Sequence, residues 1–254
     1  FMGLTLATIG GVPLATWFGE LFGWRTAFWG ITGLGVLTMA ALWFALPNLK
    51  TSQSVGAMAE IRVLGRGPVL GALALTVVGS SAMFTVFTYI APILSSETHG
   101  STAYITAMLV LFGVGLTLGN MWGGKAADRS VDRTLIVSLG VLILVLLAFT
   151  VLMRWAVPAA LAILIWGIAS FALVPPLQMR VMEAAKDAPN LASAVNIGAF
   201  NFGNAIGAVL GGAVINAGLG YPAISLAGAA MAALGLLMVL EYDWRSRRTE
   251  SAVV

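Results

Sequence analysis

Residues 134–153 read TLIVSLGVLILVLLAFTVLM, twenty residues without a charge, closed by Arg133 on one side and Arg154 on the other. At 1.5 Å of rise per residue, a helix of that length covers roughly 30 Å, the thickness of a bilayer's hydrocarbon core. Lipid offers backbone groups no water, so a stretch this apolar crosses it as a helix with its amides paired inside the segment. Outward from it, the same pattern recurs over residues 1–19, 27–46, 68–94, 104–124, 156–179, 191–216 and 221–240, with short polar or Gly- and Pro-marked breaks between them. The expected fold is all-α: a polytopic bundle of eight transmembrane helices.

Composition points the same way. The chain is 59% hydrophobic and 9% charged, whereas soluble domains carry about 25% charged residues. Too little charge remains to clothe a water-facing surface, which excludes a soluble enzyme of ordinary composition. Disorder is excluded as well, since disordered chains are poor in apolar residues. Cysteine is absent, so disulfides, thiolate metal sites and cysteine nucleophiles are ruled out. No metal site and no cofactor are expected.

The thirteen Lys and Arg set the orientation. With eight spans alternating in direction, Lys50, Arg62, Arg66, Lys125, Arg129, Arg133, Arg180, Lys186, Arg245, Arg247 and Arg248 fall on one side, and Arg25 and Arg154 on the other. By the positive-inside rule the cation-rich side is cytoplasmic, and both chain ends lie there. The net charge of +3 then serves topology, and no nucleic-acid partner is expected. Trp24, Trp155, Trp244, Tyr104, Tyr221 and Tyr242 fall near span ends, as interfacial anchors do. Phe1 opens inside an apolar run with neither a charged n-region nor a cleavage pattern; the expectation is a chain cut from something longer.

Helices in lipid associate by close backbone packing, which small residues one turn apart permit. The first span carries Gly3, Gly11 and Pro13 among such residues, the fourth Gly115, Gly119 and Gly123, and the seventh Gly203, Gly207 and Gly211. The interval of three spans suggests a repeated three-helix unit, a trait of transporters. Pro13, Pro92, Pro175 and Pro176 interrupt spans one, three and six, where each removes a backbone hydrogen bond and invites a kink.

All ten acids and the single His99 lie outside the apolar runs, so a proton pathway, which needs an ionisable group inside the membrane, has no carrier here. The membrane interior instead holds neutral polar groups. At 100° per residue, Ser81, Thr85 and Thr88 share a face of span three, Trp166 and Ser170 one of span six, and Asn196, Phe200 and Asn204 one of span seven. Two readings stand: interhelical hydrogen bonds, or the lining of a cavity for a neutral or weakly polar substrate.

The turn after span four, GGKAADRSVDR at residues 123–133, resembles the Gly-x-Leu-Ala-Asp-Arg-x-Gly-Arg-Lys loop of the major facilitator superfamily, in the copy between that family's eighth and ninth helices. Gly124, Asp128, Arg129 and Arg133 match, while Ala126, Val131 and Asp132 depart. The first span with its Gly10-Gly11-Val12-Pro13 centre is similar to the fifth helix of the drug:proton antiporter branch. Span seven, NIGAFNFGNAIG at residues 196–207, is similar to the eleventh helix of arabinose-efflux-like and chloramphenicol-exporter-like members. The resemblance implies a partial major facilitator fold, helices five to twelve of twelve. It makes residues 1–46 the last two helices of an N-terminal half-bundle, 47–67 a cytoplasmic linker, 68–240 a six-helix C-terminal half-bundle and 241–254 a cytoplasmic tail. Helices one to four, with the branch's usual intramembrane acid, would precede Phe1, and the small-residue spans one, four and seven would pack across the interface between halves.

What the resemblance implies for function is proton-coupled efflux of a small organic compound across the inner membrane, by a monomer that alternates access. In it Asp128 would brace the inward-closed state against the cytoplasmic N-terminus of span one, where the helix dipole favours a carboxylate. An uptake permease or facilitator of the same superfamily is the alternative. A lipid-modifying membrane enzyme is remote, because no cluster of acids, His or metal ligands sits at a membrane face.

Overall fold

The computed structural model describes residues 10–45 and 62–251. Two compact units divide the chain, Phe1–Ala57 and Met58–Val254. In the first, α1 (Val12–Phe22) and α2 (Trp24–Ala45) pack on one another. Gly23 turns the chain between them at φ 85, a left-handed value that only glycine adopts without cost. Pro13 follows the two π-helical residues Gly10 and Gly11 at the start of α1, a local widening of the kind proline invites. Gly3 and residues 46–61 lie outside the described residues, as do residues 1–9 of the expected first span. Thr26, Thr32 and Thr38 donate their hydroxyls to the carbonyls of Phe22, Phe28 and Leu34, one turn back, which satisfies them on an otherwise apolar helix.

Among the described residues the second unit is a bundle of six spans built from eight helices. They are α3 (Gly67–Phe87), α4 (Ile90–Ser96), α5 (Thr102–Ala127), α6 (Val131–Leu152), α7 (Ala156–Ala172), α8 (Val174–Ala184), α9 (Pro189–Asn216) and α10 (Tyr221–Ser251). Among the described residues seven helices are long and apolar enough to cross a membrane, counting α3 with α4 and α7 with α8 as one span each. Span six runs five residues beyond its expected end at Met179, because α8 continues to Ala184.

Two spans are broken, and proline explains both. Pro92 has no N–H for the carbonyl of Thr88, and α3 stops at Phe87 before α4 restarts at Ile90. Pro176 stands in the same relation to Ala172, the last residue of α7.

The packing has an internal symmetry. The principal partners of α3 are α9 and α10, those of α7 are α5 and α6, and α6 also packs on α10. Exchanging α3/α4 with α7/α8, α5 with α9 and α6 with α10 leaves that set unchanged. Each half of the bundle is thus a triplet whose first span is broken and whose second carries the glycine stripe. The core between them is Leu, Ile, Val, Ala and a ring cluster around Trp166. Leu144, Val157 and Val209 face outward and exposed, as a lipid-facing surface requires.

Candidate substrate cavity and gating loop

The glycines close the bundle from within. A Cβ on Gly115 would stand 2.7 Å from the carbonyl oxygen of Leu164, and one on Gly123 would stand 2.5 Å from that of Ala172. Gly119 faces the backbone of Ile168 in the same way, so α5 lies backbone to backbone on α7. On α9, Gly203, Gly207 and Gly211 meet Val77, Ser81 and Thr85 of α3. Within this bundle the stripes on α5 and α9 are thus occupied by α7 and α3. Spacing marks a close approach without naming the partner.

Hydroxyls stitch the α3–α9 seam. Ser80 Oγ donates to the carbonyl of Phe200 at 3.1 Å and Ser81 Oγ to that of Gly203 at 2.9 Å. Tyr89, at the break of span three, donates its hydroxyl to Ala208 O at 2.8 Å, and its ring lies over Gly211 and Gly212.

Of the eight cavity candidates, five have almost no open surface: Ser81, Thr85 and Asn196 at 0% exposure, Trp166 at 2% and Ser170 at 4%. Thr85 returns its hydroxyl to Ser81 O, and Trp166 packs against Phe87, Phe112 and Phe149. Their shared helical faces are real but are covered by neighbouring helices, because a periodicity cannot say what covers a face. Thr88 is exposed, and Phe200 and Asn204 are half-buried. Asn201, exposed on α9, joins them. The buried Oδ1 atoms of Asn120, Asn196 and Asn204 and Nε1 of Trp166 have no hydrogen-bond partner among the described residues.

At the cation-rich end, α8 is held by polar contacts. Gln178 donates Nε2 to Ser193 Oγ at 2.8 Å and accepts from Asn196 Nδ2 at 2.7 Å. Arg180 pairs with Asp132, and its guanidinium lies 4.5 Å over the ring of Tyr242. Arg66 pairs with Asp187 at 2.6 Å on the exposed rim. Beside them a cavity of ≈ 850 Å³ opens between the starts of α3 and α6, the end of α8 and residues 238–242 of α10. No substrate candidate lines it. Sequence reasoning passed over Arg180 and Tyr242; the signal was Asp132, an acid where the loop motif carries Arg.

The loop itself is a tight three-residue link. Asp128 caps the C-terminus of α5, and Ser130 caps α6 by accepting from Arg133 N at 3.3 Å. Gly124 is half-buried in the last turn of α5, while Asp128, Arg129 and Arg133 are exposed. Val131 opens α6 in ordinary helical conformation, so the glycine of the motif is not required there. At the opposite end, Tyr104 Oη donates to Ala156 O at 2.6 Å and Thr98 Oγ1 to Met153 O, joining two turns that the charge sorting places together.

An apolar-surfaced bundle of two interlocked triplets, with its polar groups in helix seams and at one end, is the architecture of a multi-pass membrane transporter. The chain belongs to the Major Facilitator Superfamily, whose family model matches residues 1–198. It is 54% identical over 239 residues to the inner membrane transport protein YdhP of Escherichia coli (strain K12), covering 94% of this chain and 61% of that protein. A probable sugar efflux transporter of Helicobacter pylori (strain J99) is 33% identical over 239 residues, covering 92% of this chain and 60% of that one. The chain therefore spans about three-fifths of the length of these relatives. In fold it is similar, with a TM-score of 0.58 at 16% identity, to a bacterial homolog of the human lysosomal transporter Spinster in an inward-facing, unoccupied conformation, covering 98% of this chain and 69% of that one. The family and these relatives are transporters, so the chain is not an enzyme.

Proposed function

We propose that this chain forms the larger part of a secondary active exporter of the drug:proton antiporter branch, moving a small neutral or weakly polar compound out across the cytoplasmic membrane in exchange for protons. The observation that carries the reading is the internal symmetry of the bundle. Two triplets, each with a broken first span seated on a glycine-notched second, are suited to rocking about a central site. The relatives named for inner membrane transport and sugar efflux support direction and location. In this reading residues 1–46 end one half-bundle, 47–67 link the halves, 68–240 form the other and 241–254 are a tail. Both ends face the cytoplasm, and the protein works as a monomer. Thr88, Phe200 and Asn204, with Asn201, offer cargo the polar and aromatic surface that the buried candidates cannot.

The loop acts as a brace. Asp128, exposed at the end of α5, meets the positive end of another helix in one state and not in the other; only such a difference shifts a conformational equilibrium. Inverted vesicles bearing the complete protein test the function: accumulation of a cargo should collapse when the proton gradient is dissipated, and mere equilibration would indicate a facilitator. Asp128→Asn should shift the balance between inward- and outward-open forms and lower transport; unchanged values of both would remove the brace.

A further inference from the structure

We propose that Arg180 is the positioning residue of the 128–130 loop, acting through Asp132 in a polarity opposite to that of the family's motif. The inference deepens the brace reading above and rests on it for its functional consequence. Three observations converge on Arg180. Its side chain is 11% exposed, it pairs with Asp132 in the first turn of α6, and its flat face is covered by Tyr242 of α10. One cation thereby ties together the start of α6, the inner end of the broken span α7/α8 and α10 at Tyr242. The loop that carries Asp128 is only three residues long and is capped at both ends, so fixing the first turn of α6 fixes Asp128.

The polarity follows from the helices. Asp132 stands in the first turn of α6, where the dipole favours an anion. The motif's Arg at this position would oppose the dipole and confront Arg180. Leu177 and Val181 bury one side of α8 and Gln178 ties it to α9, whereas both members of the Arg180–Asp132 pair line the cavity of ≈ 850 Å³, so on that side the pair is the tie.

This chain contains no cysteine, so a spin label on Lys125→Cys, one turn before the loop, reports loop motion in the complete protein once any cysteine outside this chain is replaced by serine. Asp132→Asn and Arg180→Gln should each mobilise the label and lower transport several-fold. Exchanging the charges, Asp132→Arg with Arg180→Asp, restores the pair against the α6 dipole and should recover most of the immobilisation and part of the transport. A swapped pair no better than the single variants, or single variants that leave the label as rigid as before, would overturn the proposal. Should Arg180→Gln fail to reach the membrane, Asp132→Asn and the swap carry the same comparison. If Asp128→Asn is without effect while the label still answers to Arg180, the brace fails and the positioning role stands.

Discussion

A methyl group on Gly119 has nowhere to go: it would meet the backbone of Ile168, which cannot turn aside as a side chain could. Overpacking a seam of this kind costs typically 1–3 kcal/mol, so Gly119→Ala should lower the unfolding midpoint of the detergent-solubilised protein. Gly140→Ala is the control. Nothing stands within 4 Å of its Cβ, and alanine is the better helix former by about 1 kcal/mol; this variant should be unchanged or more stable. Removing the Ser81 hydroxyl by Ser81→Ala should cost less, about 0.6 kcal/mol for one interhelical hydrogen bond. The glycine spacing was readable in the sequence because close helix contact demands small side chains. Which helix lies against each stripe was not, since that depends on residues distant in the chain. The same limit applies to Ser170 and Asn196, whose polar helical faces are closed over by neighbours that sequence does not name.

Among elements, the broken spans were the more legible. Pro92 and Pro176 free the carbonyls of Thr88 and Ala172, and the breaks fall where a missing i to i−4 bond puts them. Pro92→Ala should let α3 run on into α4; it removes a defect worth about 3 kcal/mol in a helix interior, so the unfolding midpoint should rise while transport falls. A rise in both would show that the elbow serves no movement. The ends of α8 were less legible. Its last turns carry Arg180, Glu183 and a neighbouring run of polar residues, which by hydropathy resemble a loop. They are helical because Gln178 and Arg180 find partners on α9, α6 and α10.

For the molecule as a whole, the apolar runs announced an all-helical membrane bundle, since hydrocarbon admits few alternatives. The triplet symmetry was half visible, as a period in the glycine stripes, and complete only once packing partners were known. Sorting of Lys and Arg predicts that cysteines introduced at Arg66 and Arg129 react with an impermeant reagent from the same compartment, and one at Arg154 from the opposite one. Arg66 and Arg129 labelled from different sides would undo the threading and the orientation with it.

Tyr89 and Gly212 have a consequence for sequence change over time. The tyrosine hydroxyl would stand 2.9 Å from a Cβ on Gly212, and no other neighbour would lie within 4 Å apart from the same ring. Glycine is thus needed there only while a phenol occupies position 89. In descendants of this gene the two sites should drift as a couple: alanine at 212 becomes tolerable once residue 89 has lost its hydroxyl, and rarely before.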